Sequence, residues 1–281
     1  MAIVLALLSH SMRNAHADAA RGAYLAAAAG CDGCHTAGEH KGEPYAGGRL
    51  LKTEFGTIST PNITPDPRTG IGAWSRTDFE RAMRWGIPPD GSRYVSTFPY
   101  LFYNRLSGSD LDDLWSFLRS LPPVVRPARD RGSSLALLAR TRDALAVMAA
   151  GLPGPWRPDP TKDQVWNRGA YLVATVGRCG DCHTPRTWLG APDPHRFLAG
   201  VRGGRGGDKV PDITSDRNTG IGKWSISDIV DLLTTGATPD GDFVGGAMAE
   251  IVKNTSRLNE ADRRAIAVYL LAIPARPLAE K

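Results

Sequence analysis

Cysteine and histidine are where this sequence places its chemistry. Cys31-Asp32-Gly33-Cys34-His35 and Cys179-Gly180-Asp181-Cys182-His183 are two copies of C-x-x-C-H, and together they use all four cysteines of the chain. The pentapeptide is the attachment signature of a c-type haem. Its thiols, two residues apart on a single turn, can add across the vinyl groups at one edge of the macrocycle. The adjacent histidine can then reach the iron as proximal ligand. The pattern predicts two covalently bound haem c groups, with Cys31, Cys34, Cys179 and Cys182 holding the rings and His35 and His183 on the metals. The same residues carry one alternative, a pair of zinc or thiol sites.

The elements that must position these motifs come as a tandem repeat. Asn62 to Ser75 recurs as Asp212 to Ser225 at an offset of 150, Arg21 to Leu25 recurs as Arg168 to Leu172, and Leu106 to Pro122 matches Leu258 to Pro274. Self-similarity on this scale, with one C-x-x-C-H in each copy, predicts two homologous haem domains, at 18–123 and 166–281. Each copy reads as mostly helical with long loops, so the expected class is all-α. A first helix starts near Gly22 or Gly169 and runs into the cysteines, its glycine suited to a close helix crossing. A Gly-rich loop follows, with Gly47-Gly48 in one copy and Gly203 to Gly207 in the other, serving either close backbone approach or plain turns. Ser75 with Asp78, and Ser225 with Asp228, resemble capping boxes. Ser107 with Asp110, and Asn259 with Asp262, repeat the device before a last helix that Pro122 or Pro274 stops. Residues 124–165 form a linker with a short apolar helix from Ser134 to Ala150. It is too apolar for a free tether.

The totals bound the function. The chain has 281 residues, a formal charge of +5 and scattered single arginines without basic runs, which leaves nucleic-acid binding without support. Residues 1–17 read as a signal peptide: a short apolar core from Ala2 to Leu8, then Ala15-His16-Ala17 before a cleavage point at Asp18. No basic residue precedes that core. Export agrees with haem attachment outside the cytoplasm, so the expected location is the periplasm. There is no Gly-rich dinucleotide fingerprint and no H-E-x-x-H metal site.

The order of these motifs, from Cys31 to Thr36, then Asn62 to Trp74, then a Pro-Asp-Gly loop and a helix ending at Leu121-Pro122, resembles the multihaem cytochrome c subunits of bacterial membrane-associated dehydrogenases. The alcohol and gluconate dehydrogenase subunits are members of that family. The resemblance covers Ala20 to Pro274. It implies two tandem class I cytochrome c domains, where those subunits usually carry three. It also implies a methionine as sixth iron ligand in the loop before the last helix, and in the second copy that residue is Met248. In the first copy the corresponding residue is Phe98, which cannot bind iron. Met83, His40, Tyr94, Tyr100 and Tyr103 are the neighbouring candidates. Met83 suits a core position better. His195 reads as a loop residue, and His10 and His16 belong to the signal.

The expected function is electron transfer between a dehydrogenase subunit and a respiratory acceptor, either a soluble cytochrome or an oxidase, with peripheral membrane association through the partner. The alternative is a haem enzyme or ligand sensor that uses an open sixth position on the first haem, opposite His35.

Overall fold

The computed structural model describes residues 17–38, 42–53, 56–127, 134–203 and 209–276. The signal-peptide reading, His10, His16 and His40 lie outside them. The first copy of the repeat contains α1 (Ala19–Ala29), α2 (Cys31–His35), strands β1 (Leu50–Thr53) and β2 (Gly56–Ser59), α3 (Arg76–Trp85), α4 (Tyr100–Tyr103) and α5 (Gly108–Ser120). Helix α6 (Ser134–Ala150) lies between the copies. The second copy contains α7 (Gln164–Tyr171), a π-helical turn over Leu172–Val176, α8 (Gly180–His183), α9 (Ile226–Thr235), α10 (Gly246–Thr255) and α11 (Glu260–Ala272). The molecule is therefore mostly helical. Among the described residues it departs from the all-α expectation at one strand pair. Strands β1 and β2 pair antiparallel, Leu51 opposite Ile58, in what the sequence reading treated as Gly-rich loop. Thr57 and Ile58 are β-branched residues that suit a pleated, half-buried ladder.

Helix starts follow the side-chain caps. Both capping boxes form: Ser75 and Ser225 accept from the backbone N–H of Asp78 and Asp228, whose carboxylates accept from the serine N–H in return. Such a cap contributes about 1 kcal/mol. The first helix of each copy begins earlier than expected. Asp18 caps α1 and Asp163 caps α7, so Gly22 and Gly169 fall inside the helices. Their role as crossing points holds. A Cβ added at Gly22 would collide with the carbonyl oxygen of Asp113 on α5, and one at Gly169 with that of Ala265 on α11. The α1–α5 and α7–α11 crossings thus bring backbone against backbone at matching positions.

The two copies clasp each other reciprocally. Arg21 pairs with Asp110 and Asp113 in its own copy, and Arg168 pairs with Asp262 in its own. The tyrosine three residues after each arginine reaches across. Tyr24 donates to Asp262 at 2.6 Å, and Tyr171 donates to Asp110. Each phenol oxygen also accepts a backbone N–H, from Asn259 at 3.2 Å and from Ser107 at 3.1 Å. The linker adds a strap. Arg105 of the first copy lies 4.5 Å over the Trp156 ring, which packs against Tyr171 of the second with centroids 6.2 Å apart. Asp143 on α6 accepts from the Ser96 N–H at 2.6 Å.

Candidate functional site

Each C-x-x-C-H forms a short helical turn, directly after α1 in the first copy and after the π-helical turn that continues α7 in the second. The histidine beside it is already oriented. His35 Nδ1 lies 2.9 Å from the Pro61 carbonyl oxygen, and His183 Nδ1 lies 2.8 Å from that of Pro211. A carbonyl oxygen can only accept, so Nδ1 carries the proton in both rings and Nε2 keeps its lone pair. Burial pushes both imidazoles below their ordinary pKa, which favours that neutral form. A ring fixed in this way offers Nε2 as an iron ligand, held by an outer partner.

The backbone around the motifs repeats in the same detail. The N–H of Gly47 binds the His35 carbonyl at 2.6 Å, and that of Gly200 binds the His183 carbonyl at 2.8 Å. Both glycines are left-handed, with φ of 73° and 78°. Neither has room for a Cβ: at Gly200 it would lie 2.6 Å from the Asp212 nitrogen and 2.7 Å from the Pro211 carbonyl carbon, and Gly47 faces Pro61 in the same way. Close approach is therefore the role of Gly47, while Gly203 meets nothing within 4 Å among the described residues and reads as a plain turn. Thr36 and Thr184 are buried, and their hydroxyl oxygens accept from the N–H groups of Tyr45 at 3.2 Å and Leu198 at 3.1 Å. Tyr45 and Leu198 both sit at positive φ, 61° and 65°. Pro61 and Pro211 stand one residue before the stretch in which the 150-residue repeat is read. Extending that register by one residue would have found them.

The first thiol of each motif lacks the lowered pKa of a reactive C-x-x-C. Burial pushes the Cys31 thiol up to about 12 and the Cys179 thiol up to about 11, the reverse of what a reactive C-x-x-C requires. Among the described residues no three His, Cys, Asp or Glu side chains gather as metal ligands. A single nitrogen donor beside two neighbouring thiols suits a haem, where the macrocycle supplies the remaining in-plane ligands. A cavity of ≈ 390 Å³ opens beside Cys34, lined by Arg49, Arg178, Asn254 and Arg257 among others.

Met248 and Phe98, matched by the repeat register, have different surroundings. Met248 is half-buried in the first turn of α10, which packs on α9. Phe98 is also half-buried, and it sits in an aromatic cluster. Its ring lies 5.3 Å from Tyr94 and 5.8 Å from Tyr103, both edge-on. The alternative ligands near it have other surroundings. Met83 is part of the hydrophobic core. Tyr103 directs its hydroxyl to Arg178 and the Ala29 carbonyl. Tyr100 is fully buried against Gly86, and burial pushes its phenol up to about 12. The backbone N–H of His195 bonds to Asp193 in an exposed turn.

One residue that the sequence reading passed over is Arg178, immediately before Cys179. It occupies the left-handed region at φ 45°, where its counterpart Gly30 has φ 67°. That conformation costs a side-chain-bearing residue roughly 1–2 kcal/mol. The offset between copies rises from 147 at Arg21/Arg168 to 148 at Cys31/Cys179. The extra residue is taken up by the π-helical turn Leu172–Val176, as an insertion into a helix commonly is.

With this geometry in view, the relatives decide the family. A dihaem cytochrome c-type protein of Cereibacter sphaeroides is 42% identical over 92% of this chain and 86% of its own length. The chain belongs to the dihaem c-type cytochromes. No family model matches it. This cytochrome is also 38% identical to the fructose dehydrogenase cytochrome subunit of Gluconobacter japonicus, over 91% of this chain and 52% of the subunit. It is 34% identical to the gluconate 2-dehydrogenase cytochrome c subunit of Pantoea cypripedii, over 91% of this chain and 59% of that one. The chain thus spans little more than half of those dehydrogenase subunits. Among the described residues no helix is long and apolar enough to cross a membrane.

Proposed function

We propose that this protein is a periplasmic electron carrier that takes electrons from a dehydrogenase partner and delivers them to a respiratory acceptor, such as a soluble cytochrome or an oxidase. One observation carries the reading: both histidines are held through Nδ1 by a proline carbonyl in the same geometry, each beside its own pair of thiols. Cys31 and Cys34 would hold one haem c, and Cys179 and Cys182 the other. His35 and His183 would ligate the irons from one side, with Met248 opposite His183. Haem supplies the one-electron chemistry; the chain supplies ligands, burial and orientation. The protein's own part is to keep each imidazole neutral and aimed, and to hold the two domains, 18–123 and 166–281, at fixed separation through the Tyr24–Asp262 and Tyr171–Asp110 contacts. The dehydrogenase subunits among its relatives support that type of electron donor, and a peripheral place at the membrane follows from such a partner.

A second reading rests on Phe98. No iron-binding side chain occupies its place, and the edge-on packing of Tyr94 and Tyr103 surrounds that ring with apolar edges. The haem opposite His35 would then have an open sixth position able to bind a small ligand, with the second haem supplying or removing electrons.

The test is to express the full chain with haem-maturation machinery, count covalent haems on the denatured protein, and mix the reduced protein with a soluble cytochrome and with an oxidase preparation. Two haems and rapid oxidation without any small-molecule substrate are expected. Fewer than two covalent haems, or no exchange with either acceptor, would overturn the reading.

A further inference from the structure

The Arg178 side chain touches both haem-attachment segments. Its guanidinium donates to the Tyr103 hydroxyl at 3.3 Å and to the Ala29 carbonyl at 3.4 Å, and it lies 3.7 Å from the Asp181 carboxylate. Asp181 lies inside the Cys179–Cys182 turn, and Ala29 is two residues before Cys31. Tyr103 closes the triangle by donating to the same Ala29 carbonyl at 3.5 Å. The side chain is only 17% exposed, and it also lines the cavity beside Cys34. The neighbouring surfaces are reciprocal. Asn254 of the second copy packs on Gly30 before the first motif, and Phe102 of the first copy packs on Gly180 within the second. The strained backbone at Arg178 is therefore spent at the junction of the two motifs, where a positive-φ outlier points to function.

We propose that Arg178 is a tuning and positioning residue shared by both haems, its single cation raising the reduction potential of each and its hydrogen bonds fixing the two thiol-bearing segments together. Reduction adds one electron's charge to either haem, and a cation held in a poorly solvated junction stabilises that charge. The proposal rests on two haems being attached as described above. Arg186 is the natural comparison. It pairs with Asp181 and donates to the Asp181 and Gly190 carbonyls, so it contacts the second motif alone.

The experiment is spectroelectrochemical titration of the haem-loaded protein with Arg178→Gln, Arg178→Lys and Arg186→Gln. Arg178→Gln should lower both midpoint potentials, each by an about tenfold change in the reduction equilibrium, or about 59 mV for one electron. Arg178→Lys should restore most of that shift, and Arg186→Gln should move one potential only. If Arg178→Gln takes up no haem, Arg178→Met is read by the same two potentials. A shift in only one potential with the Arg178 variant, no shift in either, or equal shifts for lysine and glutamine would overturn the proposal. Fewer than two covalent haems in the unaltered protein would instead overturn the functional reading beneath it.

Discussion

Replacing Gly200 with alanine should perturb one haem site by a mechanism that can be separated from ordinary loop damage. Two terms add. The left-handed backbone, φ 78°, costs an alanine roughly 1–2 kcal/mol. The new Cβ would also stand 2.6 Å from the Asp212 nitrogen and 2.7 Å from the Pro211 carbonyl carbon, both backbone atoms that cannot swing aside. Overpacking of that kind costs about 1–3 kcal/mol. The sum is about 2–5 kcal/mol. Gly203→Ala is the internal control. Its φ is 70° but it meets nothing within 4 Å among the described residues, so only the first term applies. Urea unfolding of the two variants should differ by the overpacking term, about 1–3 kcal/mol. Relief of the clash must move the Pro211 carbonyl, which holds His183 Nδ1 at 2.8 Å. The second haem's spectrum should therefore change in Gly200→Ala and stay unchanged in Gly203→Ala. Equal stability and equal spectra in the two variants would refute the close-approach argument.

Further outcomes follow from other contacts. Phe98→Met should convert the haem opposite His35 from high spin to low spin, read by electron paramagnetic resonance; an unmoved spectrum would show that Phe98 does not face the iron. Met248→Ala should do the reverse to the other haem and open it to carbon monoxide, so a variant that stays low spin and binds none would remove Met248 as the ligand. Tyr24→Phe should lose about 1.5–3 kcal/mol in urea unfolding, because its hydroxyl donates to the charged Asp262. Burial alone would raise the Asp262 carboxyl, but the Arg168 guanidinium and the Tyr24 hydroxyl hold it below the ordinary value. Its contribution is therefore fully present above the unfolded carboxylate pKa of about 3.9 and is lost as pH falls through the lower folded value. Asp262→Asn should flatten stability against pH in that acid window and leave it sloping if the pair contributes nothing.

Much of this fold was legible because the repeat shows each signal twice. The capping serines, the crossing glycines, the proline stops and the Ser134–Ala150 helix all depend on local chemistry that residue identity carries. What stayed hidden depended on through-space geometry. Pro61 and Pro211 act through a backbone carbonyl, which every residue has, so only their matching place in the repeat, and not their role, could be read. Gly200 was passed over for the more conspicuous Gly203 to Gly207 run, although Gly200 meets the Pro211 backbone. The β1–β2 hairpin was hidden by its glycine-rich surroundings. Arg178 reads as one scattered arginine among many, and its reach to Ala29 depends on how the copies pack. The crossed tyrosines could be matched as a repeat, but nothing in either copy says that each bonds the other's aspartate.

The electron paramagnetic resonance spectrum of the oxidised, haem-loaded protein tests the account most directly. If Met248 is the ligand proposed opposite His183 and Phe98 leaves the iron of His35 open, it should show one low-spin haem of the His/Met type and one high-spin haem, in equal amounts. Two low-spin His/Met haems would contradict the open site at Phe98.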